Sequence, residues 1–301
     1  MSNIKSCSVC CPKALESDTA RNARIEIIKQ LINSKLSAFA NDSGNHPSLQ
    51  EYIKAAHHIL LSPDAKRIRS ILPVLIANAR NFDEETCFKY GITIELLHYS
   101  SLIHDDVIDA DQIRRGFPTL NGTFTNSHAV LIGDFMMCSV IDFALGFNHS
   151  NEVIKLMVGS IKNLVTGLVI EQRVMPQEPT LERYLEMADL KTGSLFKLSI
   201  GLPFIADQRL PEAMKCGQIF GLLFQIYDDY LDRNKDVQYQ NIFHIISEKE
   251  IIDIWNKYFS IFIELAKVLE IEQVIMEMIY YLRSYGHFLE VPTSEGILFE
   301  T

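Results

Sequence analysis

The chain has 301 residues, 48% of them hydrophobic, with 28 basic against 38 acidic side chains and a formal net charge of −10. That apolar content is ample for a sizeable buried core. The acidic balance excludes a broad basic surface for nucleic acid and any general attraction to anionic lipid, so positive charge that handles an anion has to be local.

Residues 1–19 read as a flexible N-terminal segment carrying Cys7, Cys10 and Cys11, and one helical domain is expected over residues 20–301. Cys87, Cys138 and Cys216 are scattered singly, which is no disulfide framework and points to a reducing, cytoplasmic compartment. The first residues also lack the long apolar core of a signal peptide. Apolar residues then recur at helical spacing over 20–41, 48–61, 66–81 and 84–109, with a turn signal at Asn41-Asp42-Ser43-Gly44-Asn45. A second turn signal, Arg115-Gly116-Phe117-Pro118, precedes a helical segment at 127–147. Its apolar run from Ala129 to Phe147 is interrupted by Asp134 and Asp142 and predicts a buried helix, not a membrane span. Further helical segments follow at 151–173, 181–206, 211–232 and 247–287, and strand signals are nearly absent. Long helices joined by short loops predict an all-α fold, a single large antiparallel helix bundle around a central active-site cavity.

Two aspartate triads of identical spacing stand out, Asp105-Asp106-Val107-Ile108-Asp109 and Asp228-Asp229-Tyr230-Leu231-Asp232. On a helix, residues four apart share a face, so Asp105 with Asp109, and Asp228 with Asp232, each point two carboxylates one way. Both triads are embedded in apolar sequence, where carboxylates need a counter-charge. Hard oxygen donors with no nearby cysteine or paired histidines favour Mg²⁺, which keeps several waters and completes its shell with substrate phosphates. A diphosphate ligand is therefore implied. Basic clusters suited to such an anion occur at Lys66-Arg67-Ile68-Arg69, Arg114-Arg115-Gly116 and Lys191-Thr192-Gly193.

The run from Glu95-Leu96-Leu97-His98 through His104-Asp105-Asp106-Val107-Ile108-Asp109 to Arg114-Arg115-Gly116-Phe117-Pro118-Thr119 closely resembles the first aspartate-rich motif of the trans-polyprenyl diphosphate synthases. Phe224-Gln225-Ile226-Tyr227-Asp228-Asp229-Tyr230-Leu231-Asp232 resembles their second. Lys66-Arg67-Ile68-Arg69, Gly133-Asp134-Phe135 and Lys191-Thr192-Gly193 are similar to three further elements of that family, in the same order. The chain departs from the family pattern at Asp64-Ala65 before Lys66, where a glycine pair is usual, and at Glu171, where glutamine is frequent. It departs again at Arg233-Asn234-Lys235, where most members carry Gly-Lys-Pro.

The resemblance implies an isoprenoid synthase-type bundle that condenses an allylic prenyl diphosphate with isopentenyl diphosphate into an all-trans polyprenyl diphosphate. It assigns Mg²⁺, three ions with bound diphosphate, to Asp105, Asp109 and Asp228, and counts Asp106 and Asp229 among the catalytic acids, with Asp232 at the substrate. Arg114 and Lys191 are assigned to the allylic diphosphate, and Lys66, Arg69, His98 and Arg115 to isopentenyl diphosphate. Gln225 and Thr192 turn polar atoms toward the allylic carbon. In the family a bulky aromatic just before the first triad stops growth early. Ser100 and Ser101 occupy that place here, which favours a product of twenty carbons or more, with Leu97, Tyr99, Phe135, Met136 and Met137 as candidates for a deeper floor. A homodimer is expected, with residues 127–147 as a plausible interface. Two alternatives are a terpene cyclase, which needs no second diphosphate pocket, and a non-catalytic partner subunit, which usually lacks one triad.

Overall fold

The computed structural model describes residues 18–42, 46–233 and 241–284. Cys7, Cys10, Cys11 and Lys235 lie outside the described residues. Among those described, the chain is helical apart from one short hairpin, as the apolar periodicity predicts. It gathers into two compact units, residues 23–154 and residues 18–22 with 155–284.

In the first unit, α1 (Asp18–Asp42) buries Ile25, Ile28, Ile32 and Leu36, a stripe at helical spacing. Helix α2 (Gln50–Leu60) is followed by α3 (Ile68–Ala79), which is buried along nearly its whole length. Helix α4 (Glu84–Ile108) is the core helix, packed between α3 and a later helix, α6. It is started by Asp83, whose carboxylate accepts the Thr86 N–H at 2.9 Å. Gly91 lets α3 and α4 approach: a Cβ there would lie 2.8 Å from the Ser70 carbonyl oxygen. After α4 come β1 (Ile113–Arg114) and β2 (Phe117–Pro118), antiparallel with Arg114 opposite Phe117. Their connecting residues Arg115 and Gly116 both have positive φ, 51° and 80°, the backbone of a tight two-residue hairpin. A single turn, α5 (Leu120–Thr123), leads to α6 (Asn126–Ala144).

The buried helix expected from Ala129 to Phe147 needs correction. Helix α6 buries Ala129, Ile132, Gly133, Met136, Val140 and Ala144 on one face, while Val130, Leu131 and Leu145 are 41%, 64% and 59% exposed. By length and composition α6 and the stretch Ser150–Val174 are apolar enough to cross a membrane.

Helix α7 (Ser150–Val169) carries the chain into the second unit and ends in a π-helical turn, Ile170–Val174. The predicted segment 181–206 is α8 (Leu181–Ala188), a second π-helical turn (Asp189–Gly193) and α9 (Ser194–Gly201). Helix α10 (Leu210–Asp232) packs on α9 and on α11 (Glu248–Val268), with Phe220 edge-on to Phe196 at 4.9 Å and stacked on Phe262 at 5.3 Å. The predicted segment 247–287 is two helices, α11 and α12 (Glu272–Ser284). The break is a Schellman closure: Glu270 takes φ 60°, its N–H donates to the Lys267 carbonyl at 3.0 Å, and the Ile271 N–H donates to Ala266 at 2.9 Å. Glutamate in place of the usual glycine concealed that stop.

Candidate active site

Both aspartate triads end a helix. Asp105 and Asp106 lie in the last turn of α4 with Asp109 as its C-cap, Asp228, Asp229 and Asp232 lie at the end of α10, and neither helix has a basic residue in its last turn. A helix C-terminus already carries roughly half a negative charge, so the carboxylates deepen a potential that favours a cation. Burial is graded alike in the two triads: the middle acid is buried, the first half-buried and the last exposed.

The middle acids are tied to the protein. Asp106 accepts from Arg114 Nε, and its main-chain carbonyl accepts the Asn121 amide at 3.2 Å. Asp229 accepts the Ile242 N–H and Gln225 Nε2, both at 2.9 Å, and its carbonyl accepts the Asn241 amide at 2.8 Å. Burial pushes both carboxyls up, Asp229 to about 6, against these hydrogen bonds. Among the described residues no three His, Cys, Asp or Glu side chains converge into a ready-made cage. One or two carboxylates at a helix end suit Mg²⁺, which takes its remaining ligands from water and phosphate.

The first unit also brings Arg69, Arg114 and Arg115 of the predicted basic set near His98. Burial holds His98 well below the usual histidine range; the Arg69, Arg115 and Arg114 guanidiniums act in the same sense and Glu95 opposes them. Burial likewise lowers Arg115, with Arg67 and Arg114 adding to it. Guanidiniums gathered about a neutral imidazole suit a bound anion, in an otherwise acidic protein. Lys66 is half-buried in the loop before α3. Arg114 spans the second β-strand residue and the triad, paired with Asp106 and, at 3.4 Å, with Asp111.

What sets this cluster is a buried ion pair that sequence reasoning missed. Arg67, at φ 59°, turns its side chain inward: Nη1 meets Glu95 Oε1 at 2.5 Å, Nε meets Asn33 Oδ1 at 2.9 Å, and Nη2 donates to the Leu60 carbonyl. Ser70 donates to the other Glu95 oxygen at 2.8 Å. Burial would raise Glu95, but the Arg67 charge, with the hydrogen bonds from Ser70 and Arg67, holds it down at about 2. Arg67 lies between Lys66 and Arg69 in the same basic run, so sequence alone did not separate the structural cation from its neighbours.

In the second unit, Thr192 donates to Gln225 Oε1 at 2.6 Å and Gln225 donates on to Asp229. Three predicted residues are thereby one hydrogen-bonded chain. Its closeness depends on glycine: a Cβ on Gly221 of α10 would lie 2.6 Å from the Gly193 Cα. Lys191 donates to Glu171, a partner not anticipated from sequence.

Ser100 is fully buried; its hydroxyl donates to the Leu97 carbonyl at 2.8 Å and lies 3.8 Å from Met137 Sδ of α6. Ser101 donates to the His98 carbonyl at 2.7 Å. Tyr99 is engaged elsewhere, donating to the Ala56 carbonyl at 2.5 Å. Further along α4 a cavity of about 780 Å³ is lined by Ile92, by Lys35 and Phe39 of α1, and by Phe135, Cys138 and Phe143 of α6.

The family described as polyprenyl synthetase matches residues 50–243, a span that includes both triads and every basic cluster. The chain belongs to the polyprenyl synthetase family. The chain is 31% identical over 185 residues to the short chain isoprenyl diphosphate synthase of Methanocaldococcus jannaschii, a match that covers 59% of this chain and 56% of that protein. It is 30% identical over 191 residues to the octaprenyl diphosphate synthase of Escherichia coli, covering 62% and 59%. The match thus spans somewhat more than half the length of these curated relatives. The crystal structure of a geranyltransferase from Legionella pneumophila shares the fold with a TM-score of 0.77 at 23% identity, covering 90% of this chain and 100% of that one. The fold is the all-α isoprenoid synthase fold.

Replacing Glu95 by glutamine leaves Arg67 buried without its counter-charge and should lower unfolding free energy by about 3 kcal/mol, measured by urea melts at neutral pH. Because Glu95 sits below its ordinary 4.5, the unfolded chain binds more protons, so its contribution is full above pH 4.5 and lost as pH falls through about 2. Melts across that window should show a shallower acid slope in Glu95→Gln than in the parent.

Proposed function

We propose that this protein condenses an allylic prenyl diphosphate with isopentenyl diphosphate to extend an all-trans polyprenyl chain. The observation that carries the reading is the coexistence of two complete aspartate triads with a separate guanidinium pocket around His98. A cyclase would have no use for that second anion pocket, and a non-catalytic subunit none for both triads.

The carboxylates of Asp105, Asp109 and Asp228 would hold Mg²⁺, three ions with the diphosphate bound. Bound Mg²⁺ supplies Lewis-acid stabilisation of negative charge developing on the departing diphosphate. Lys191 of the second unit and Arg114 of the first would each take diphosphate oxygens by charge-assisted hydrogen bonds. Lys66, Arg69, Arg115 and neutral His98 bind the diphosphate of the second substrate and orient its double bond for attack on the allylic carbon. The Thr192–Gln225 pair sets its oxygens beside the second triad, where their dipoles favour the developing carbocation.

Small side chains at Ser100 and Ser101 support a product of twenty carbons or more. The cavity at Ile92 lies thirteen residues up α4 from Asp105, an axial distance of roughly 20 Å at helical rise, which adds room in the same direction. The exposed apolar Val130, Leu131 and Leu145 on α6 support a homodimer, in which that surface is covered by a second copy. The reading places the enzyme in the cytoplasm, in keeping with the free thiols Cys87, Cys138 and Cys216.

Incubation with isopentenyl diphosphate, Mg²⁺ and allylic primers of ten, fifteen and twenty carbons should give elongated products. Asp105→Ala and Asp228→Ala should each cut kcat by about 10²- to 10³-fold with an unchanged far-ultraviolet circular dichroism spectrum; parent-like turnover in either would overturn the assignment. Ser100→Phe should shorten the product by at least one five-carbon unit on chromatographic sizing, and an unaltered product would place the floor elsewhere. Leu131→Glu should convert a dimer to a monomer in light scattering, whereas a parent that is already monomeric removes the proposed interface.

A further inference from the structure

The contact between Glu171 and Lys191 is built into the second unit by unusual backbone. Glu171 lies in the π-helical turn Ile170–Val174 and Lys191 in the π-helical turn Asp189–Gly193. Such turns are rare and recur at functional sites, because the inserted residue redirects side chains from the regular helical face. Gly167 brings the two segments together: a Cβ there would lie 2.4 Å from the Lys191 backbone nitrogen and 2.8 Å from its Cα, so only glycine allows this approach. At that distance the Lys191 ammonium donates to Glu171 Oε2, with the carboxylate side chain 12% exposed and the lysine 30%. Asp189, in the same turn as Lys191, is paired with Lys197 at 2.6 Å. Glu171 is also close enough to Asp229 that, after burial itself, its charge helps to raise that carboxyl.

A diphosphate brought to Lys191 therefore meets a fixed, largely buried carboxylate that holds the same ammonium and repels the anion. We propose that Glu171 sets the affinity of the second unit for diphosphate, as an internal anion that competes with diphosphate for Lys191 and so weakens its retention. This rests on the reading of Lys191 as a diphosphate-binding residue. It gives Glu171 a role opposite to that of a cation ligand, and the sign of one substitution separates the two.

The test is calorimetric titration of inorganic diphosphate, in saturating Mg²⁺, into the full-length parent, Glu171→Gln, Glu171→Ala, Lys191→Gln and the Glu171→Gln/Lys191→Gln double variant, each checked for helicity and melting. Glu171→Gln and Glu171→Ala should bind about tenfold tighter than the parent, and Lys191→Gln more weakly. The gain from Glu171→Gln should shrink in the Lys191→Gln background, because the carboxylate then has no ammonium to withhold. Unchanged or weaker binding in whichever Glu171 variant keeps the parent's helicity would overturn the proposal, and weaker binding would make Glu171 a cation ligand. Binding by the parent that is insensitive to Lys191→Gln would overturn it too. A parent that shows no heat with Mg²⁺-diphosphate would overturn the synthase reading itself.

Discussion

Everything in this protein's chemistry follows from negative charge placed where a helix is already negative. Each triad stands at a C-terminus, where carbonyls point outward and no basic side chain of the last turn relieves them. Such an arrangement is costly for the fold by itself and becomes favourable with a divalent cation. The protein limits the cost by dividing labour within each triad. The middle acid is buried and tied down, by Arg114 in one case and by Gln225 with the Ile242 N–H in the other, while the flanking acids are more exposed.

The ties share a design. In each unit an asparagine shortly downstream, Asn121 or Asn241, donates its amide to the main-chain carbonyl of the middle aspartate. A carbonyl in the last turn lacks an intrahelical partner, and the amide donates to it there; the Asp106 carbonyl also accepts the Asp111 N–H at 2.9 Å, so two donors help to fix where that helix stops. Helix termination and acid placement are thus one constraint, and a shift of a single residue would turn the outer carboxylates to another direction. The buried Arg67–Glu95 pair plays the corresponding part for positive charge, anchoring the start of α3 and holding Arg69 near His98.

The triads, the basic runs and most helix spans were legible in the sequence because each leaves a local mark: a spacing of four, a cluster, a period of 3.6. Arg67 was not, because a buried structural arginine and a substrate-facing one look alike when they are neighbours in one basic run. The pairing of Glu171 with Lys191 was hidden for another reason, since it depends on two π-helical turns and on the absence of a side chain at Gly167. The break between α11 and α12 escaped notice because Glu270 takes a left-handed conformation that glycine usually announces. The partial exposure of α6 shows the limit of hydropathy: its apolar content is high enough for a fully buried helix, yet only one face meets α4.

The thioether of Met137 against Ser100 has a consequence for how α4 and α6 pack. An unbranched side chain with three rotatable bonds yields under pressure where a rigid ring would block. The seam between α4 and α6 is therefore softer at this point than a ring would make it, and a bulkier side chain at position 100 would meet a neighbour able to move aside as the sulfur changes rotamer.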